Sequence, residues 1–247
     1  GFPEIVLTRD KHRKVIKLHE YFRAIMYRDI IEAYGIDNET LMEMILKHIM
    51  NSIYFSSTRL YNALRSIGFR TSKNTILHYK KAIENSYMIS QIPIFSYKIK
   101  DEAQYPKKIY CIDHGLRRSI SIAYRESESR SLENLLFIEL QRRLDPISKI
   151  YYWKSRRGYE VDFVLLKNLK PRQLIQVTYS IEDETTRRRE ERALIRAMEE
   201  FHIKEGYIIT WDLEYTTKKE NKTIIYTPAW KFLLMKKRQN LDYYAQL

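Results

Sequence analysis

Apolar residues recur at three- and four-residue spacing through most of the first ninety positions. "EYFRAIMYRDIIEAY", Glu20 to Tyr34, places Phe22, Ile25, Met26 and Ile30 on one face, which predicts an amphipathic helix ended by Gly35. "NETLMEMILKHIMNSI" predicts a second helix capped by Asn38, and "SSTRLYNALRSIGFR" a third, capped by Ser56 or Ser57 and stopped by Gly68. "TSKNTILHYKKAIENSYMI" predicts a fourth from Thr71 or Ser72, with Ile76, Tyr79 and Ile83 inward. Two short helices joined by "GFRTS" carry the helix-turn-helix signal. The β-rich stretches "SYMISQIPIFSYKIK" and "YPKKIYCID", on either side of a mobile "DEAQ", predict a wing.

The pattern changes after the polar "AYRESESRS", the expected approach to a second unit. "SLENLLFIELQRRL" predicts a helix; "KIYYWKS", "YEVDFVLL" and "LIQVTYS" three strands; "TTRRREERALIRAMEEF" a charged helix; "GYIITWD" and "KTIIYT" strands; and "PAWKFLLMKKR" a last helix. The second and third strands are expected to join at a basic turn, Lys170, Pro171 and Arg172. The fold class is α/β (α+β overall): a helical connector over 1–36, a winged helix-turn-helix over 37–104, and a mixed sheet flanked by helices over 105–247.

Charge sharpens this picture. Lys and Arg number 44 against 31 Asp and Glu, a net +13, which favours a polyanionic or acidic partner. One cysteine, Cys111, excludes an intrachain disulfide, and no C-x-x-C pair exists for zinc. No apolar run approaches a membrane span, and the first residues lack a signal-peptide core, so a soluble cytoplasmic protein is expected. A chain opening on Gly1 without methionine is expected to be a processed or truncated product.

The strand "GYEVDFVLL" keeps two acids in an apolar pattern. Residues two apart in a strand share a face, so Glu160 and Asp162 form one polar pair, and Gln176 with Thr178 another; pairing of the strands lets them converge. Glu133, near the start of the preceding helix, offers a further acid. Each residue also has a plain structural use. Glu133 suits the first turn of a helix, Glu160 and Asp162 can pair with Lys154, Arg156 or Arg157, and Gln176 can bond backbone or a carboxylate. "RRREER" is expected to be a solvated helix face.

"SLEN", "GYEVDF" and "IQVT" resemble the core of the PD-(D/E)xK nuclease superfamily. "GFPE", "YFRAIMYRDIIEAYGI", "SKNTILHY", "KKIYCIDHGL", "YYWKSRRGYEVDF" and "LIQVTYSIEDETTRRREERAL" together resemble archaeal AAA+ type ATPases with a nuclease-like C-terminal half. No G-x-x-x-x-G-K-[ST] loop occurs, so the resemblance implies that ATP binds in a module outside this chain, which the full-length protein carries in cis.

The resemblance puts Glu133, Asp162, Gln176 and Thr178 at the nuclease positions, with Glu133, Asp162 and Gln176 as ligands of Mg²⁺ or Mn²⁺. The family's acid-x-Lys is here Gln176 and Thr178, neither a carboxylate nor an ammonium. A degenerate, non-cutting site is therefore expected, with Lys154 as a possible relocated lysine. On the winged helix, Lys73, Asn74, His78 and Lys81, with Arg59, Arg65 and Arg70, are the expected DNA contacts. The rival expectations are a metal-dependent or Holliday-junction-type nuclease and a protein-binding regulator.

Overall fold

A computed structural model describes residues 2–120 and 128–235. The chain packs as two units, Gly1–Gln91 with Pro106–Arg125 and Ile92–Tyr105 with Glu126–Leu247. The expected boundaries at 36 and 104 differ from this division: the connector and the four-helix region share one core, and Ile92–Tyr105 packs in the second unit.

The first unit is built from helices α1 (Pro3–Leu7), α2 (Lys11–Ala24), α3 (Glu39–Asn51), α4 (Ser57–Ser66), α5 (Lys73–Asn85) and α7 (His114–Ile120). The expected helix from Glu20 begins earlier, at Lys11, because Asp10 accepts the backbone N–H groups of His12 and Arg13 as its cap. Beyond Ala24 it widens into a π-helical segment, Ile25–Glu32, whose Met26, Ile30 and Ile31 remain buried. The other caps fall among the expected residues: Asn38 accepts from Leu41 N, Ser56 from Arg59 N and Ser72 from Thr75 N. Gly68, at φ 91°, takes the left-handed backbone that ends α4 and turns the chain toward α5. Phe22, Met26, Ile45, Leu46, Ile49, Leu60, Ile76 and Ile83 close the core.

Strands β1 (Ile89–Ile92) and β2 (Lys108–Cys111) form the expected two-stranded sheet. Its connection is not a mobile tip. "DEAQ" lies in helix α6 (Ile99–Gln104), and Ile94 forms a parallel bridge to Tyr152 of the second unit, where Phe95 N donates to Tyr152 O at 2.6 Å. The Phe95 ring meets Tyr97, Tyr151 and Phe201 edge-on at 5.2–5.7 Å, so apolar anchoring overrides the polar composition of the segment.

The second unit adds α8 (Glu128–Arg143), β3 (Ser148–Lys154), β4 (Glu160–Lys167), β5 (Lys170–Val177), α9 (Glu184–Glu200), β6 (Glu205–Thr210), β7 (Tyr215–Lys219), β8 (Lys222–Pro228) and α10 (Ala229–Leu234). "AYRESESRS" lies outside the described residues up to position 127, as does the end of "PAWKFLLMKKR" beyond 235. The sheet runs β3-β4-β5-β6-β8-β7, with parallel pairs β5/β6 and β6/β8 and antiparallel pairs elsewhere. It is the expected mixed sheet flanked by helices.

The β4–β5 turn is at Asn168 and Leu169, both left-handed, not at Lys170–Arg172. A two-residue turn with both φ positive matches strand twist, while Pro171 is absorbed at a register shift beside Leu166. Strand β7, unpunctuated in the apolar pattern, pairs along β8 at the sheet edge.

Two helices take opposite faces. Phe137 of α8 stacks on Phe163 of β4 at 6.4 Å, whereas α9 lies over Val164, Leu174, Ile208 and Ile224. Gly206 lets α9 approach β6: a Cβ there would meet Met198 Sδ at 2.9 Å and Leu194 at 3.0 Å.

Candidate functional site

The β4–β5 backbone ladder ends at Phe163 and Ile175. One step on, the same register sets Asp162 opposite Gln176, and side chains take over from the backbone. Asp162 N donates to Gln176 Oε1 at 3.2 Å, and Val177 N donates to Asp162 Oδ2 at 2.9 Å. From α9, Glu190 Oε2 accepts from Gln176 Nε2 at 2.5 Å, and Glu190 Oε1 accepts from Arg189 Nη2 at 2.5 Å. Asp162, Gln176 and Glu190 are all buried. Burial without partners would cost each polar group about 1–3 kcal/mol, and this network supplies partners.

The other residues singled out with them lie elsewhere. Thr178 is buried; its N–H donates to Ile209 O at 3.0 Å and its Oγ1 to Ser180 O at 3.1 Å, which fastens the end of β5. Lys154 Nζ pairs with Glu160 Oε2 at 3.1 Å, its partner across β3 and β4. Glu133 lies on α8 and Glu190 on α9, which covers the other sheet face; Glu190 is the helix acid that meets Gln176. Among the described residues no group of three His, Cys, Asp or Glu side chains could hold a metal ion. Magnesium or manganese needs several oxygens free to turn toward it. Here Gln176 Oε1, Asp162 Oδ2 and both Glu190 oxygens already accept hydrogen bonds from within the protein.

Sequence reasoning missed Glu190 by taking "RRREER" as solvated throughout. Its signal is spacing: Glu190 precedes the buried Leu194 by one turn, and Glu191 precedes the buried Ile195 likewise. Glu191 is buried too, held by Lys219 and by Tyr226, whose hydroxyl donates to it at 2.6 Å. Burial first, then that bond, pushes the Tyr226 phenol well above its ordinary pKa.

On the first unit, Arg59, Arg65, Arg70, Lys73, Asn74, His78 and Lys81 are all exposed on α4, α5 and their turn. Asn74, His78 and Lys81 follow each other along one stripe of α5, opposite the buried Ile76, Tyr79 and Ile83. Arg59, Arg65, Arg70, Lys73 and Lys81 have no carboxylate partner among the described residues. Four of the five arginines of α9 contrast with them: Arg187 and Arg188 pair with Glu184, Arg189 with Glu190 and Arg196 with Glu199. Among the described residues these five cations of α4, α5 and their turn are left without carboxylate partners, whereas most arginines of α9 are paired.

Residues 1–127 match the family described as a domain of unknown function, DUF8612. The chain belongs to that family. In this DUF8612 protein, residues 128–230 match a second domain of unknown function, DUF4143, and the border between the two matches lies close to the division between the structural units. Two relatives extend the likeness. An uncharacterised protein of Methanocaldococcus jannaschii is 32% identical over 95% of this chain and 53% of its own length. One of Haemophilus influenzae is 25% identical over 93% of this chain and 55% of its own length. The chain thus spans about half the length of the curated relatives it matches. No solved structure matches it. Among the described residues no helix is long and apolar enough to cross a membrane.

Proposed function

We propose that this chain is the C-terminal region of an archaeal AAA+ type ATPase, in which a DNA-binding winged helix is joined to a nuclease-like unit that no longer cuts. The occurrence of DUF4143 domains in AAA-ATPase-associated proteins supports the first part, with ATP bound by a module outside this chain. DNA binding is supported by one observation above the rest: five cations on α4, α5 and their turn have no carboxylate to neutralise them. A duplex offers closely spaced phosphates, and each cation that neutralises one releases condensed counterions. Asn74, on the first turn of α5, has the amide that reads a base edge.

The loss of cutting is supported by the occupied oxygens of Asp162, Gln176 and Glu190 and by Thr178 standing where the superfamily keeps lysine. Binding of a labelled duplex, followed by fluorescence anisotropy across a salt series, tests the first claim. Affinity should fall steeply with salt, and the double reversal Lys73→Glu and Lys81→Glu should weaken it and flatten that dependence. Binding indifferent to salt and to the reversal would point instead to a protein partner. Incubation with single-stranded, duplex and branched DNA in Mg²⁺ or Mn²⁺ tests the second. Cutting that Asp162→Ala abolishes would restore the nuclease reading.

A further inference from the structure

Two of the unpaired cations are gathered on one aromatic ring. Arg65 Cζ of α4 lies 5.6 Å from the centroid of the Tyr61 ring, and Lys73 Nζ, from the first residue of α5, lies 6.0 Å from the same centroid. Arg65 Nη1 also donates to the Tyr61 hydroxyl at 3.4 Å. The ring is half-buried and packed on the core, so it is a fixed platform, whereas both cations are exposed. No carboxylate among the described residues pairs with either cation. Attraction to the ring limits where the two long side chains travel.

Resting on the DNA-binding reading above, we propose that Tyr61 is a positioning residue that assembles Arg65 and Lys73 into one clamp for a single backbone phosphate of duplex DNA. A shared phosphate makes the two cations interdependent: once either is gone, the other holds the phosphate poorly. Cations on separate phosphates would act independently.

The test is a double-mutant cycle on the full chain, with duplex affinity measured by anisotropy at fixed salt. Arg65→Ala and Lys73→Ala should each weaken binding about 5- to 30-fold, and the double variant little more than either alone. Tyr61→Leu should weaken binding by a similar factor in the otherwise unchanged chain and have almost no effect where Arg65 and Lys73 are already alanine. Tyr61→Phe, which keeps the ring, should bind nearly as tightly as the parent. Because Arg65 and Lys73 are exposed, their cycle stands even if Tyr61→Leu unfolds. Multiplicative losses for Arg65→Ala and Lys73→Ala, or a Tyr61→Leu loss that persists without the two cations, would overturn the clamp while leaving DNA binding intact. A parent chain that fails to bind duplex would overturn both.

Discussion

Gln176 lies between a backbone and a carboxylate: its Oε1 accepts from Asp162 N at 3.2 Å and its Nε2 donates to Glu190 Oε2 at 2.5 Å. A carboxylate at this position can accept the first bond but cannot donate the second, so the amide is specifically matched to its two neighbours. Gln176→Ala leaves both neighbours short of a partner in a buried setting and should cost about 1–3 kcal/mol in denaturant unfolding.

Gln176→Glu should cost more near neutral pH, because it brings a second buried carboxylate against Glu190. The burial and the like charge raise the folded-state pKa of the introduced acid above its unfolded value. The destabilisation is then largest above the raised folded value and is relieved as pH falls from there toward the unfolded carboxylate range. Unfolding curves at pH 8 and pH 5 check this: relative to the parent, the variant should recover stability on acidification. An equal deficit at both pH values would mean that Glu190 is not facing the new side chain.

That the strands bearing Asp162 and Gln176 pair was legible in two apolar runs joined by a short turn, and Asp162 N does meet Gln176 Oε1. Glu190 as the partner of Gln176 was not legible, because a helical pattern does not say which sheet face its helix covers; the Phe137–Phe163 stack sends α8 to one side, and Leu194 sends α9 to the other. The caps at Asn38, Ser56 and Ser72 were legible because capping is local chemistry. The π-helical segment at Ile25–Glu32 was not, and neither was the docking of Phe95, which depends on packing partners remote in sequence.

Charge pairing separates two arginine- and lysine-rich helices that composition treats alike. Arg188 is already paired with Glu184 at 2.8 Å, whereas Lys81 has no carboxylate partner among the described residues. Lys81→Ala should lower the slope of log affinity against log salt by about one for duplex DNA, and Arg188→Ala should leave slope and affinity within about twofold of the parent. A larger loss for Arg188→Ala would move the proposed DNA surface to α9.

Two histidines of the first unit give it a pH dependence of determinate sign. Burial pushes the His48 imidazole below its ordinary pKa, and burial followed by the nearby Arg117 and Arg118 does the same to His114. Both therefore take up protons more readily in the unfolded chain. Stability should be level above about pH 7 and fall as pH drops through about 6.5, the ordinary histidine value. Denaturant unfolding between pH 7.5 and 5.5 should show this decline, and His48→Gln with His114→Gln should flatten it. A parent chain whose stability is level throughout that window would mean that both imidazoles are better hydrated than their packing implies.

Phe95 carries the segment that the sequence assigns to a mobile wing. It is buried, its N–H donates to Tyr152 O at 2.6 Å, and its ring lies 5.2 Å from Phe201 at the end of α9 and 5.7 Å from Tyr151 of β3. Phe95→Ala removes the ring and leaves a cavity among those aromatics, and should cost the second unit about 3–5 kcal/mol if the neighbours do not collapse inward. The backbone bridge between Ile94 and Tyr152 is short and isolated, so it should open with the loss of the ring. Hydrogen exchange gives the sharper measurement: the amides of Phe95 and Tyr152 should lose protection in Phe95→Ala by more than those of β5 and β6. Amides at 95 and 152 that exchange rapidly in the parent chain would mean that the segment moves freely after all.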